Sequence, residues 1–172
     1  MEKVFIIKNV SFFNRFYIYI VGVIVFITFI IINLIKLRLD FLFISIFCFF
    51  IFFGFPFFSE LKKDLQHTIL VSFNNETIYI KYYYIHKLTT ETLNIKDCVI
   101  RIRSYAITRW NIEYYLEIKS KNKSYYINRK FNLDYNEVLE IFELFKNNKN
   151  EKIIYDEKYL LDLIRKKTVN NH

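Results

Sequence analysis

Two long runs of uncharged, mostly apolar residues dominate the hydrophobic pattern near the start of the chain, at residues 16–35 and 41–58. An α-helix rises about 1.5 Å per residue, so about 20 residues cross the hydrocarbon core of a bilayer, which is about 30 Å thick. The connector, residues 36–40, is too short to recross a membrane. The pattern therefore predicts a transmembrane helical hairpin over residues 16–58.

The charges that flank the two runs predict an orientation. Five Lys and Arg residues lie near the outer ends of the runs, whereas the connector holds two. Positive residues favour the cytoplasmic side, so we expect a multi-pass protein of the bacterial inner (cytoplasmic) membrane. The N-terminal tail, residues 1–15, and the C-terminal domain would both be cytoplasmic. Neither run contains an ionisable residue, which favours an anchor over a transporter. Association through Gly22 or Gly54 into a homo-oligomer stays open.

The hydrophobic period changes to two after Thr68. Apolar residues then alternate with polar ones, which is typical of antiparallel strands that have one buried face and one solvated face. The predicted strands, separated by turns rich in Asn and Lys, cover residues 69–73, 78–84, 90–95, 98–103, 111–120 and 125–129.

One amphipathic helix follows the strands. Asp134 and Glu137 have the spacing of a capping box, in which each side chain bonds the backbone N–H of the other residue. The apolar stripe of this helix must pack against another apolar surface, and the preceding sheet is the sizeable surface available. The stripe consists of Val138, Ile141, Phe142 and Phe145.

At this point the chain resembles a family of bacterial membrane proteins that have a two-helix transmembrane hairpin followed by a pleckstrin-homology-like domain. The resemblance rests on the segments SFNNETIYI, TLNIKDCVIRI, EYYLEIKSKNKSYYI and DYNEVLEIFELFK. It implies an α+β membrane protein. Its antiparallel β-sheet or barrel, over residues 65–148, would be capped by a C-terminal helix.

Charge and composition limit the class of partner. Residues 59–172 contain twenty Lys and Arg against fifteen Asp and Glu, a net charge of +5. This is far below the charge of a dedicated nucleic-acid binder, so no nucleic-acid partner is expected. A moderate positive charge does favour an anionic surface.

A search for catalytic chemistry finds no motif. The three His and two Cys residues lack metal-ligand spacing. Both glycines, Gly22 and Gly54, lie in the apolar runs, which excludes a Gly-rich phosphate loop. We therefore expect a protein that is not an enzyme and that has no cofactor, no metal and no catalytic residues.

Basic and aromatic residues are the candidate contacts with a partner or with lipid headgroups. Arg101 and Arg103 share one face of a predicted strand, and Arg109 and Trp110 follow in a predicted loop. Alternatively, the arginines lie on a strand face that contacts only solvent, and Trp110 packs at the edge of the core.

The basic tail, residues 149–172, supplies three further candidates. Residues 156–167 can form a short amphipathic helix, and Arg165, Lys166 and Lys167 lie near its C-terminus, where positive charge suits the helix dipole. This helix could dock on its own domain, lie on an anionic membrane surface or bind a partner.

Together these patterns suggest a membrane-anchored, non-enzymatic protein-binding module. An immunity protein that guards against a toxin is a specific version of this hypothesis. The alternative is a lipid or envelope-stress sensor that contacts anionic headgroups.

Overall fold

The computed structural model describes residues 3–8, 11–35, 46, 61–106, 112–121, 123–129 and 133–170. The chain divides into two compact units. One unit comprises Met1–Asn9 and Gln66–His172, and the other comprises Val10–Leu65.

Two antiparallel sheets form the first unit. The strands of the first sheet lie side by side in chain order: β1 (Lys3–Ile6), β2 (Gln66–Phe73), β3 (Thr77–Tyr84) and β4 (Lys87–Asn94). A short 3-10 helix, Ile95–Asp97, leads into the second sheet. The strands of that sheet are β5 (Cys98–Ala106), β6 (Ile112–Ser120) and β7 (Lys123–Ile127).

Strand β1 lies within residues 1–15, for which the sequence predicts only an N-terminal tail. It pairs with β2 in the register Val4↔Ser72, and the N–H of Ile7 donates to the carbonyl of Ile69 at 2.8 Å. Phe5 is buried and packs edge-on against Phe73, with ring centroids 6.2 Å apart. The N-terminus is therefore part of the core of the first unit.

The core lies among the inward residues of both sheets and two helices, α2 (Tyr135–Lys149) and α3 (Tyr155–Asn170). The predicted helix is confirmed by α2. Its capping box is present, with the N–H of Asp134 donating to Glu137 Oε2 at 3.2 Å. The four residues of its predicted apolar stripe are fully buried. A helix whose apolar stripe matches its period can bury that stripe against the sheets.

The tail helix docks on its own domain. Leu161 and Ile164 of α3 are buried in the core. Lys146 of α2, itself buried, lies 2.8 Å from the carboxylate of Glu157, and Arg165 lies 3.1 Å from Glu143. Of the three alternatives for this segment, the structure shows the first.

The second unit contains the helix α1 (Phe12–Ile35). Phe16 is buried, and the hydroxyl of Tyr19 donates to Asp64 Oδ2 at 2.7 Å. Farther along α1, many Val and Ile side chains are 40–75% exposed.

The predicted transmembrane hairpin is contradicted by this structure. Among the residues that the structure describes, no helix is long and apolar enough to cross a membrane. The run 16–35 lies in α1, and the run 41–58 lies outside the described residues except for Ile46. The predicted fold class of an α+β membrane protein and the predicted inner-membrane location are wrong for the same reason. The fold is α+β with two antiparallel sheets.

A count of charge-free residues leaves out where the helix begins and which of its side chains make contacts. The helix begins at Phe12, so its first turn includes Arg15 rather than starting at the uncharged run. Within the run, Phe16 is buried and Tyr19 is hydrogen-bonded to the carboxylate of Asp64. A one-dimensional hydropathy pattern does not record such contacts, because they depend on which residues meet in space.

Candidate functional site

The outer face of the second sheet concentrates tyrosine and arginine. On β5, the side chains of Cys98, Ile100 and Ile102 are buried, whereas the residues between them are exposed. This is the alternation expected of a sheet that covers a core with one face. We call the outer surface the tyrosine–arginine face; it consists of Arg101, Arg103, Tyr105, Tyr115, Tyr126 and Arg129.

Arg129 is the centre of this face. Its guanidinium carbon lies 5.7 Å from the ring centroid of Tyr105, 5.4 Å from that of Tyr115 and 5.8 Å from that of Tyr126. These distances are within the range of a cation–π interaction. Tyr115 and Tyr126 also contact each other edge-on, with centroids 6.2 Å apart. Tyr115 is buried although it is on the outer face, so the surface there is well packed.

A backbone turn at Asn128 positions Arg129. Simple alternation after Tyr126 would place residue 128, and not residue 129, on the outer face. Asn128 instead adopts a left-handed conformation, with φ of 64°, and is buried. Its side-chain oxygen accepts a hydrogen bond from the N–H of Leu133 at 2.8 Å. Asn tolerates this conformation better than most residues do, so the sequence supplies a suitable residue at the turn.

Arg103 and Glu117 form an ion pair on the same face, with Nε and Oε2 2.8 Å apart. Arg101 lies directly opposite Glu117 in the register of β5 and β6. Burial by itself would raise the pKa of Glu117, but the hydrogen bonds from Arg103 and Ser124 outweigh it, and the pKa is lowered. Glu117 is therefore a fixed negative charge beneath two arginines.

The other predicted contacts lie elsewhere. Arg165 pairs with Asp162 and Glu143 on the helices, at 3.1 Å each. Lys167 lies 3.1 Å from Glu113 and is close to the rings of two buried tyrosines, so it helps to hold α3 in place. Lys166 is exposed on α3.

Arg109 and Trp110 lie outside the described residues. The structure thus brings Arg101 and Arg103 together, and it places Arg165 and Lys167 in contacts that dock a helix. What each of the seven residues contacts in a partner stays a prediction.

Sequence reasoning did not name four members of the face as candidate contacts: Tyr105, Tyr115, Tyr126 and Arg129. The alternation along β6 did place Tyr115 on the outer side, and the same parity could have found Tyr105 and Tyr126. Arg129 could not have been found in this way, because the turn at Asn128 breaks the parity.

A second polar cluster joins the two sheets around Glu91 of β4. The hydroxyl of Tyr82 donates to Oε1 of Glu91 at 2.7 Å, and Lys123 lies 2.8 Å from the same oxygen. Tyr125 of β7 donates to Oε2. The carboxylate therefore receives donors from both sheets.

The cluster fixes the protonation states of its members. Burial, and then the hydrogen bond to Glu91, raises the pKa of Tyr82 to about 12, and the same two causes raise the pKa of Tyr125. Burial would also raise the pKa of Glu91, but the hydrogen bonds from Lys123, Tyr125 and Tyr82 outweigh it and lower this pKa. The phenols are therefore neutral and the carboxylate is ionised, an arrangement that holds the two sheets together. A catalytic nucleophile or base would need a pKa closer to neutral.

The described part of the chain contains no candidate metal site, because no group of three His, Cys, Asp or Glu residues in it could hold a metal ion. The outer side of the first sheet has a shallow, open depression of about 310 Å³, lined by Ser72, Asn74, Thr77, Tyr79 and Thr92. It contains no charged side chain and no titratable cluster.

Comparison with known proteins does not assign a function to this surface. No family model, no curated protein and no solved structure matches the chain.

Proposed function

We propose that this protein is a non-enzymatic protein-binding module and that the tyrosine–arginine face is its contact surface. The observation that carries the proposal is the Arg129 guanidinium held among three tyrosine rings on the outer side of a regular sheet. The membrane attachment that the sequence predicted is not part of the proposal.

The chemistry of the face supports this function. Tyrosine and arginine are enriched at protein interfaces and at the residues that contribute most binding energy. A tyrosine side chain offers a large contact area at a low cost in conformational entropy. Here the rings are held further by Arg129 and by the register of three paired strands. Little ordering would remain for a partner to impose, which favours affinity.

Two carboxylates of the first unit, those of Glu91 and Glu117, have the character of structural groups. Glu91 and Glu117 are each held by several donors, and their pKa values are lowered. A general acid or base works best when its pKa lies near the working pH. Both groups are instead fixed as anions, and this is the behaviour of residues that stabilise a surface or a sheet.

Site-specific photo-crosslinking in the native cell tests the proposal. A photoreactive phenylalanine analogue replaces Tyr105 in the full chain, and a matched protein has it at Tyr79 on the other sheet. The two positions are similarly exposed, at 44% and 38%. We expect a discrete protein adduct at position 105 that is absent at position 79 and that is lost when Tyr126→Ala is added.

Equal adducts at both positions, or no protein adduct at position 105, would reject the proposal. An immunity protein is the specific form of this function. It is supported if the crosslinked partner is a toxin that the protein neutralises, and it is rejected if the partner has no toxicity.

A further inference from the structure

We propose that the tyrosine–arginine face recognises an extended acidic segment of its partner, with carboxylates at alternate residues followed by an aromatic or apolar side chain. This inference rests on the proposed protein-binding function and names the chemistry of the partner. Two observations carry it: the row of outward side chains on β5, and the two arginines that flank the carboxylate of Glu117.

The spacing of the row selects an extended peptide. Arg101, Arg103 and Tyr105 follow one another at intervals of two residues on the outer side of β5. Alternate residues of a strand are about 7 Å apart, and those of an extended peptide have the same spacing. A peptide that lies along β5 can therefore place two carboxylates and one ring over three successive side chains. A helical peptide curves away from such a straight row, because its neighbouring side chains occur at i+3 and i+4.

The local charge selects carboxylates. Two arginines flank one carboxylate, that of Glu117, whose side chain is only 13% exposed beneath them. Arg103 approaches Glu117 through Nε, and its side chain is still 45% exposed. Arg101 is exposed as well. A guanidinium can bind carboxylates with two parallel hydrogen bonds, so an arriving acidic side chain would balance the excess positive charge.

The tyrosines argue against a single-stranded nucleic acid. Binding of that kind depends on bases that stack on open aromatic faces. Arg129 already lies against the rings of Tyr105, Tyr115 and Tyr126. An acidic peptide does not need open aromatic faces, because its carboxylates bind the guanidinium groups of the arginines.

Two labelled peptides of identical composition test the inference on the full chain by fluorescence polarisation. In one, two glutamates and a phenylalanine alternate with threonines; in the other, the glutamates are adjacent. Charge-assisted hydrogen bonds are strong and depend on geometry, so we expect the alternating peptide to bind about tenfold more tightly. Arg101→Gln should abolish this preference. Lys87→Gln, which makes the same charge change on the first sheet, should leave it within about twofold.

Circular dichroism of each variant establishes that it is folded. Arg101→Gln is the decisive variant, because Arg103 also holds Glu117 and its loss could disturb the sheet. Equal binding of the two peptides, no binding of either, or a preference that survives Arg101→Gln would overturn the inference. Binding of anionic vesicles or of an oligonucleotide that equals the binding of the alternating peptide and depends on Arg101 would also overturn it. A protein adduct at position 105 combined with any of these results would leave the binding function standing and remove only the acidic segment.

Discussion

Lys123 of β7 and Glu91 of β4 form an ion pair between the two sheets, with Nζ and Oε1 2.8 Å apart. Tyr82 and Tyr125 donate to the same carboxylate. One acidic side chain of β4 thus bonds both its neighbour β3 and the strand β7 of the other sheet. The link connects the sheet that contains β1 to the sheet that presents the tyrosine–arginine face.

Glu91→Gln should destabilise the fold. The amide keeps the size of the side chain but loses the charge that three donors share, so we expect the free energy of unfolding to fall by about 1–3 kcal/mol. Urea denaturation measures this change. Glu76→Gln is the control, because Glu76 is exposed in the turn between β2 and β3. A loss as small as that of the control would show that the carboxylate does not hold the sheets together.

The contribution of Glu91 should disappear in acid. Its pKa in the folded state is lowered from the unfolded value, which is about 4.3. A lowered pKa means that the stabilisation is fully present above the unfolded pKa and is lost as the pH falls through the folded pKa. The stability difference between wild type and Glu91→Gln should be constant from about pH 6 to 8 and should shrink below about pH 4. Urea titrations across this range test the sign, and a difference that grows on acidification would contradict it.

Substitution of Asn128 separates backbone strain from hydrogen bonding. Asn128→Gly and Asn128→Ala both lose the hydrogen bond to the N–H of Leu133, but only alanine is strained at a φ of 64°. We expect Asn128→Ala to be less stable than Asn128→Gly by about 0.5–1 kcal/mol, since the left-handed strain exceeds the entropy that glycine loses on folding. Thermal or urea unfolding measures both variants. Equal stabilities would mean that the turn which places Arg129 relaxes without strain.

Docking of the tail helix should depend on Ile164. This side chain is fully buried in the core, and its truncation to alanine should cost about 2–5 kcal/mol. We expect Ile164→Ala to increase hydrogen exchange in α3 before it affects β5–β7. Tyr159→Ala on the same helix is the control, because Tyr159 is 61% exposed and its loss should change stability by less than about 0.5 kcal/mol. Unchanged exchange in α3 after Ile164→Ala would show that the helix is held mainly by its ion pairs.

The N-terminal strand should be required for full stability. Phe5 is buried against Phe73, so Phe5→Ala should lower the free energy of unfolding by about 3–5 kcal/mol. Its neighbour Ile6 is 75% exposed, and Ile6→Ala should have a small effect. Chemical denaturation compares the two variants. Similar losses would indicate that the packing of Phe5 adds little to the free energy of unfolding.

The sequence by itself determined those features whose signal is local. The strands β5 and β6 follow from an alternation over residues 98–103 in β5 and over residues 112–120 in β6. The helix α2 follows from Asp134, Glu137 and an apolar stripe at helical spacing, all within 12 residues of chain. In both cases the period of the pattern is the period of the element, so the residues that face the core can be read directly.

Only the tertiary structure decided the features that depend on distant residues or on one backbone turn. The strand β1 has four residues, too few for a periodic signal, and it exists because β2 pairs with it from more than 60 positions away. The transmembrane prediction was wrong, because among the described residues no helix is long and apolar enough to cross a membrane. The charge-free run also could not show that Phe16 is buried and that Tyr19 is hydrogen-bonded to Asp64. Arg129 joined the candidate site through the left-handed turn at Asn128, which reverses the parity of the strand. Long-range pairing placed β1 at the edge of the first sheet, and a single φ angle placed Arg129 at the centre of the tyrosine–arginine face. Neither leaves a periodic pattern in the sequence.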